Sequence, residues 1–265
     1  MSDFKAGSTP TRSFVSISID ADVVSAEMDK GAPSAGAVRA VASEIMARIE
    51  QARMPATWAY YDPASSAARK IVESAAGHEL ALLSKSALAN AEYSRSDIMQ
   101  TIVRPLQLAT EAGLSISTLT VPFAWQPRHI DLLTKYGLTV IRTPHVFSSE
   151  TTTGIRAVCH GLWQVPVSAV VQNSHWMANL GQWRHVRRAI DQAVLVGGWC
   201  HLRIDAASIA RGDSNAGLRC IGRMLQHLHA LRNAGQISVE TLRQAAVRLA
   251  PKRSVPAANS ILRAA

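Results

Sequence analysis

Short apolar segments alternate with amphipathic segments along most of this chain, and this alternation constrains the fold more than any other feature. Residues 14–19 (FVSISI) are typical of a strand, and residues 35–53 follow with apolar side chains at helical spacing. The same succession recurs about seven times. Such alternation arises from parallel strands joined by crossover helices. The chain is therefore expected to form a β/α barrel or a doubly wound sheet.

The remaining segments continue this pattern. Further strands are predicted at residues 56–60, 78–83, 114–121, 138–142, 164–171 and 199–204. Further helices are predicted at residues 63–77, 96–113 (with Ser96 as N-cap), 127–136, 182–195, 216–233 and 239–249. No GxGxxG or Walker sequence is present to cradle a phosphate. A barrel is therefore favoured, and its functional side chains are expected where strands end and loops begin.

Length and composition fit one globular domain with a large core. The chain has 265 residues, of which 48% are hydrophobic and 18% charged. We predict a single domain over residues 14–250, between flexible tails at residues 1–13 and 251–265. The three cysteines form no CxxC pair, so a reducing cytoplasm is the expected location. No apolar run of about 18 residues is present, so no transmembrane segment is expected.

The net charge of +9 comes entirely from one part of the chain. Residues 1–181 hold 15 basic and 15 acidic side chains, whereas residues 182–265 hold 13 basic and 4 acidic ones. A solvated, arginine-rich helical surface is the simplest interpretation. Electrostatic binding of nucleic acid or a membrane surface is an alternative. No nucleic-acid motif accompanies the charge, so a specific nucleic-acid partner is not expected.

Two aspartates directly follow the first strand. Asp20 and Asp22 are two residues apart, and residues at that spacing project to the same side of an extended segment. Two close carboxylates suit a site in which one is the general base and the other a metal ligand. In the alternative, Asp22 caps a turn and Asp20 bonds to the backbone.

Other polar and aromatic residues also lie near predicted strand ends. His201, Arg203 and Asp205 alternate along the last predicted strand, so all three are expected on one side of it. Two aromatic side chains, Phe123 and Trp125, follow the fourth strand, where rings stack on sugars or simply pack. The third strand begins at His78, which serves either as a hydrogen-bonded core residue or as a ligand.

Several stretches, in a shared order, resemble the polysaccharide deacetylases of the NodB-homology family. Members are metal-dependent hydrolases on a distorted (β/α)7-type barrel that remove acetyl groups from N-acetylated sugars. The resemblance is greatest to the branch found in bacterial surface-polysaccharide and O-antigen gene clusters. The stretches are FVSISIDAD (14–22), MPATWAYYDP (54–63), AGHELALLSKSA (76–87), TVPFAWQPRHIDLLTKYGL (120–138), CHLRIDAASIARGD (200–213) and LQHLHALRNAGQISVETLRQAA (225–246).

The resemblance implies roles for individual residues. Asp20 stands in the place of the catalytic base, and Asp22 in that of the metal-binding acid. Asp205 stands where relatives carry the histidine that serves as general acid, so it is the second catalytic candidate. The residues expected to contact the substrate are His78, Phe123, Trp125, His201 and Arg203.

The departures from the family pattern concern the metal. Leu83 and Ala87 occupy the two metal-binding histidine positions of the H-x-x-x-H spacing, and Phe123 stands where the branch has an arginine. A divalent metal needs about three protein ligands, and of these only Asp22 remains in register. No bound cofactor is therefore expected, with zinc implied only if the protein is active.

Three interpretations of function remain open. The favoured one is a catalytically silent relative that binds an N-acetylated sugar, a sugar nucleotide or a polysaccharide, or acts as a protein partner in polysaccharide assembly. The second is an active deacetylase that recruits other ligands, such as His78, His129, His145 or His201. The third is an electrostatic binder of nucleic acid or membrane through the basic C-terminal third.

Overall fold

The computed structural model describes residues 13–22, 33–84, 93–122, 129–144, 155–159, 161–172 and 178–249. The strands in these ranges are β1 (Ser13–Asp20), β2 (Thr57–Tyr60), β3 (Glu79–Leu83), β4 (Thr118–Thr120), β5 (Val140–Arg142), β6 (Arg156–Cys159), β7 (Leu162–Val165), β8 (Ala169–Val171), β9 (Trp199–Asp205) and β10 (Ile237–Glu240).

The helices are amphipathic and lie between the strands in sequence. They are α1 (Ala35–Gln51), α2 (Ser66–Val72), α3 (Arg95–Ile98), α4 (Arg104–Glu111), α5 (Ile130–Lys135), α6 (Ala178–Leu195), α7 (Ala206–Arg211), α8 (Ser214–Asn233) and α9 (Leu242–Leu249), with a π-helical turn, Met99–Val103, joining α3 to α4. None of the helices within the described ranges has both the length and the apolarity that a bilayer crossing requires.

The strands form one sheet in the order β6-β7-β5-β4-β3-β2-β1-β9-β8, and β10 also pairs with the start of β1. All pairs are parallel except β6 with β7. Parallel neighbours require crossover connections, and the helices supply them. The predicted parallel β/α architecture is therefore confirmed.

The extended run from β7 to β8 bends the sheet towards closure. β7 pairs with β5, whereas β8, which begins only a few residues later, pairs with β9 on the far side of the sheet path. Pro166 lies between the two strands and lacks the N–H that a continuous ladder would use. One chain segment thus connects the two sides of a curled, incompletely closed barrel.

Alternate residues of β1 separate the barrel interior from the helical layer. Ile17 and Ile19 are fully buried in the large core formed with the surrounding helices. Ser16, Ser18 and Asp20 point the other way, into the barrel, where Ser18 and Asp20 contact Arg142 of β5. This period of two directs polar groups to the inside at one end of the barrel.

Helix α9 plugs the amino-terminal end of the barrel. Leu242 and two following alanines pack there against Phe14 of β1 and Trp199 of β9. At the same end of the barrel, the buried carboxylate of Glu79 accepts a hydrogen bond from the backbone N–H of Arg243. It also accepts hydrogen bonds from the hydroxyls of Thr57 in β2 and Thr118 in β4. Burial raises the pKa of Glu79, and these hydrogen bonds partly offset that rise.

The structure corrects several predicted boundaries. The helix predicted with Ser96 as N-cap begins after Ser94, because Ser94 forms a capping box with Asp97. The same helical segment contains the π-helical turn Met99–Val103, which ends two residues before Pro105. The single strand predicted at residues 164–171 is divided into β7 and β8. Three short elements, β6, α7 and β10, were not predicted, because segments this short show little periodicity.

Gly217 permits the close approach of α7 to α8. A Cβ added at this position would lie 2.8 Å from Cγ2 of Ile209. We expect Gly217→Ala to lower the free energy of unfolding by about 1–3 kcal/mol despite the better helix propensity of alanine. Urea denaturation measures the change. Gly181→Ala in α6 is the control, because nothing lies within 4 Å of its added Cβ; equal effects of the two substitutions would contradict the packing argument.

Candidate functional site

Asp20 is the centre of a buried ion cluster at the carboxyl end of β1. Arg142 of β5 binds it through two parallel contacts, from Nη1 to Oδ1 at 2.6 Å and from Nη2 to Oδ2 at 3.0 Å. Arg203 of β9 donates from Nε to Oδ2 at 2.7 Å. Both carboxylate oxygens are therefore engaged by guanidinium groups, in the bidentate geometry that makes such pairs strong.

Asp205 extends the cluster to the start of α7. One of its oxygens accepts a hydrogen bond from Nη2 of Arg203 at 3.2 Å, and the other accepts one from the backbone N–H of Ser208 at 2.8 Å. Asp205 is thus both an ion-pair partner and the N-cap of α7. Two guanidiniums face two carboxylates, so the formal charges of these four groups cancel.

The protonation state of Asp20 follows from its partners. Burial alone raises the pKa of this carboxyl, but Arg142 and Arg203 lower it by more, so the pKa lies below its ordinary value. The group is therefore ionised at neutral pH. A carboxylate with a lowered pKa and both oxygens engaged is a weak general base.

His201 belongs to a hydrogen-bond chain beside the ion cluster. Its Nδ1 lies 2.9 Å from the carbonyl oxygen of Pro166, which only accepts, so Nδ1 carries the proton. Ser18 Oγ then donates to Nε2 at 2.8 Å and accepts from Nη1 of Arg142 at 3.3 Å. Burial, and next the charge of Arg142, lower the pKa of His201 to about 3, so the ring is neutral.

An apolar cluster lies on β2 and β3, next to the ion cluster in the sheet. Leu83 is buried against Ala59 and Ala81, and Tyr61 packs onto these three side chains. Leucine and alanine offer no lone pair to a cation. The position at which the resemblance implies the first metal-binding histidine is therefore filled by hydrocarbon.

Asp22 lies two residues beyond Asp20, outside the buried cluster. Its charge, after burial, contributes to raising the pKa of Tyr60 to about 12, which places the Asp22 carboxylate near that phenol. Asp20 instead contacts Arg142 and Arg203. The expectation that both carboxylates serve one pocket therefore stays a prediction, and the structure adds that two guanidiniums already engage the oxygens of Asp20.

The donor set described here does not fit a divalent metal. Within the described ranges, no three His, Cys, Asp or Glu side chains are grouped so that they could hold an ion. Asp20 is neutralised by two guanidiniums, which also repel any cation brought beside it. Leu83 supplies no replacement ligand. Residues Ala87 and His145 lie outside the described residues.

The other predicted site residues are distributed differently. His201, Arg203 and Asp205 come together on the inner side of β9, as their spacing predicts. His78 does not join them, because it precedes β3 at the amino-terminal end of the barrel, where its Nδ1 accepts a hydrogen bond from the N–H of Ala56. Phe123 and Trp125 lie outside the described residues.

Arg142 is the main site residue that the sequence did not single out. It ends the apolar strand β5, and it is fully buried with its Nε unpartnered among the described residues. The sequence did contain one indication of its role, because Arg142 is a charged residue at the end of an otherwise apolar strand. Its partner Asp20 lies 122 residues earlier in the chain, so no local pattern connects the two.

Comparisons with known proteins identify the fold. No family model and no curated protein matches the sequence. Among solved structures, a protein described as a polysaccharide deacetylase from Mycobacterium smegmatis aligns with a TM-score of 0.65 and 15% identity over 92% of both chains. The allantoinase Puue aligns with a TM-score of 0.61 and 13% identity over 90% of both chains.

A third match is described as a pseudoenzyme of carbohydrate esterase family 4 from Bacillus anthracis. It has a TM-score of 0.53 and 10% identity, and the alignment covers 89% of this chain and 66% of that one. At these identities the matches establish the fold alone. The predicted barrel of the polysaccharide deacetylase kind is confirmed. Proteins with this fold have different activities, so the fold does not identify the activity of this chain.

Removing one partner of the buried pair is expected to be costly. Arg142→Met leaves Asp20 with only Arg203, and we expect the free energy of unfolding to fall by about 3–5 kcal/mol. In the double variant Asp20→Asn/Arg142→Met the loss should be smaller than the sum of the single losses, because neither charge stays unpaired. Urea denaturation of all four proteins measures the coupling. Additive losses would show that the contact contributes nothing to stability.

The buried neutral His201 predicts a pH dependence of stability. In the unfolded chain His201 has a pKa of about 6.5, so it gains a proton when the pH falls below that value. In the native protein the pKa of the ring is about 3, so the native ring stays unprotonated over the same range. The free energy of unfolding should therefore fall as the pH decreases from 6.5 to 4, by up to about 1.4 kcal/mol per pH unit from this group. Protonation of Glu79, whose pKa is raised, acts in the opposite direction.

Comparison of variants isolates the contribution of His201. In His201→Gln, the slope of unfolding free energy against pH between 6.5 and 4 should decrease relative to the unmodified protein. The exposed His185 of α6 provides the control, His185→Gln, which should keep the original slope. An unchanged slope in His201→Gln would mean that the buried ring does take up a proton in this range.

Proposed function

We propose that this chain is a catalytically silent, deacetylase-like protein that binds an N-acetylated sugar or glycan. Its place would be in bacterial surface-polysaccharide biosynthesis, of the O-antigen or exopolysaccharide type, within the cytoplasm. Metal-dependent N-deacetylation would be absent or greatly weakened. The ligand would be a sugar, a sugar nucleotide or a polysaccharide, with a protein partner of polysaccharide assembly as a further possibility.

The engagement of Asp20 by two arginines is the observation that carries this proposal. A deacetylase of this kind needs a carboxylate free to take a proton from water and a metal that acidifies that water. Here both oxygens of Asp20 accept from Arg142 or Arg203 at 3.0 Å or less, and Leu83 fills the adjoining space. These contacts of Asp20 and the apolar side chain of Leu83 support the proposal that the metal-dependent reaction is lost or weakened.

Binding of a carbohydrate is supported by the resemblance and by the matched structures. The solved structures with this fold include ones described as a polysaccharide deacetylase and as a carbohydrate esterase pseudoenzyme. Phe123 and Trp125 follow β4 in the sequence, and the resemblance implies that they belong to the rim formed by the loops after the strands. Aromatic rings at such a rim present flat faces on which sugar rings stack.

The proposal predicts that the protein binds acetylated sugars but does not hydrolyse them. With N-acetylglucosamine oligosaccharides and a UDP-N-acetyl sugar, calorimetry should detect binding, while an acetate assay should detect no release after loading with zinc, cobalt or nickel. Trp125→Ala should weaken the binding by about fivefold, since one aromatic contact is lost. Metal content is read in parallel by mass spectrometry.

Three results would overturn the proposal. Release of acetate that a chelator abolishes would identify an active deacetylase, and stoichiometric metal retention that Asp22→Ala abolishes would identify its ligand. A flat calorimetric trace against all of these sugars would remove the carbohydrate-binding function itself.

A further inference from the structure

Helix α6 presents a basic stripe to solvent that the carbohydrate function does not use. Val186 and Ile190 face inward and are fully buried. The opposite face holds a shallow groove of about 460 Å³, and its lining residues recur at intervals of three and four, which places them on one side of the helix. They are Arg184, Arg187, Arg188, Asp191, Gln192 and Leu195.

The positive charge of this stripe is only partly neutralised. Asp191 is the one acidic residue of α6, and it contacts Arg187 at 3.3 Å and His227 of α8 at 2.7 Å. Arg184 and Arg188 lie four residues apart, a spacing at which like charges destabilise a helix. The neighbouring α8 contains three arginines and no acidic residue, and one of them, Arg219, contacts Asp213 at 3.7 Å.

Arginine, rather than lysine, supplies all of this charge. Residues 178–249 contain no lysine. The guanidinium group is planar, stays charged, and donates two parallel hydrogen bonds to a phosphate. The chemistry of the stripe therefore matches phosphate groups in an anionic surface.

Two large apolar side chains are exposed at the end of the same stripe. Leu195 is 80% exposed and Val196 is 66% exposed. Leu195 lies seven residues, or about 10 Å, from Arg188 on the same side of the helix. Because α6 leads directly into β9, this pair lies at the amino-terminal end of the barrel, opposite the ion cluster of Asp20.

We propose that the stripe on α6, with Arg184, Arg187, Arg188 and Leu195, docks on an anionic phospholipid membrane together with Val196, which directly follows the helix. The arginines contact lipid phosphates, and the two aliphatic side chains enter the boundary between headgroups and acyl chains. Docking in this way uses the amino-terminal end of the barrel and leaves the end that carries Asp20 free.

The exposed aliphatic pair favours a membrane over a nucleic acid. Binding of single strands relies on exposed aromatic rings that stack on bases, and none of the described residues that line the groove on α6 is aromatic. Leu195 and Val196 gain nothing from a phosphodiester backbone, whereas transfer of aliphatic surface out of water stabilises a membrane complex. Charge and apolar exposure on one helix face thus point to the same partner.

Vesicle co-sedimentation of the full chain tests the proposal. The protein should bind vesicles of phosphatidylcholine containing about 30% phosphatidylglycerol at least about tenfold more tightly than pure phosphatidylcholine vesicles. Arg184→Gln/Arg188→Gln should weaken that binding by about thirtyfold. Leu195→Ser/Val196→Ser should also weaken it, while leaving its dependence on salt unchanged.

A matched charge change elsewhere is the control. The variant Arg39→Gln/Arg104→Gln also removes two positive charges, but from the exposed surfaces of α1 and α4. The affinity of this variant for vesicles should stay within about threefold of that of the unmodified protein. Thermal unfolding followed by circular dichroism verifies that every variant is folded.

Several outcomes would overturn the proposal. They are equal binding to both kinds of vesicle, equal losses in the two arginine pairs, and unchanged binding in Leu195→Ser/Val196→Ser. Binding of an oligo-dT single strand that depends on Arg184 and Arg188, with no binding to vesicles, would assign the stripe to nucleic acid instead. Sugar binding is measured separately, so failure of one proposal does not affect the other.

Discussion

The bidentate contact between Asp20 and Arg142 is the interaction on which the interior of this barrel depends. In sheet order β1 and β5 are separated by three strands, which in a flat sheet would place them about 19 Å apart. Their side chains instead meet at 2.6 Å across the interior. A buried arginine left without its carboxylate is expensive, so the curl of the sheet and the pairing of the charges stabilise each other.

The same contact determines what the carboxyl end of the barrel can do. Asp20 is ionised but engaged, His201 is neutral and hydrogen-bonded at both nitrogens, and Asp205 caps a helix while it holds Arg203. Each of these side chains thus has a structural partner, and the Nε atom of Arg142 is the exception among the polar atoms described for the cluster. An active site usually keeps groups under-satisfied until substrate arrives. The described part of the cluster therefore has the character of a structural network.

The sequence predicted the architecture well where segments were long and strongly patterned. The strand ending at Asp20, the helix beginning at Ala35 and the strand beginning at Trp199 all lie within two residues of their predicted bounds. Predictions were poorer where chemistry interrupts the pattern. Pro166 divides one predicted strand. The capping box at Ser94 starts a helix two residues before the predicted N-cap, Ser96.

The alternation of short apolar segments with amphipathic segments determined the parallel β/α architecture, since burial of one face of each helix follows directly from local periodicity. The sequence also showed that residue 83 is a leucine, which cannot ligate a metal wherever it lies. The tertiary structure alone decided which cation meets Asp20. Arg142 is 122 residues away, and only the closing of the sheet brings it within hydrogen-bond distance. Long-range pairing of this kind depends on the curvature of the whole sheet, which no local pattern encodes.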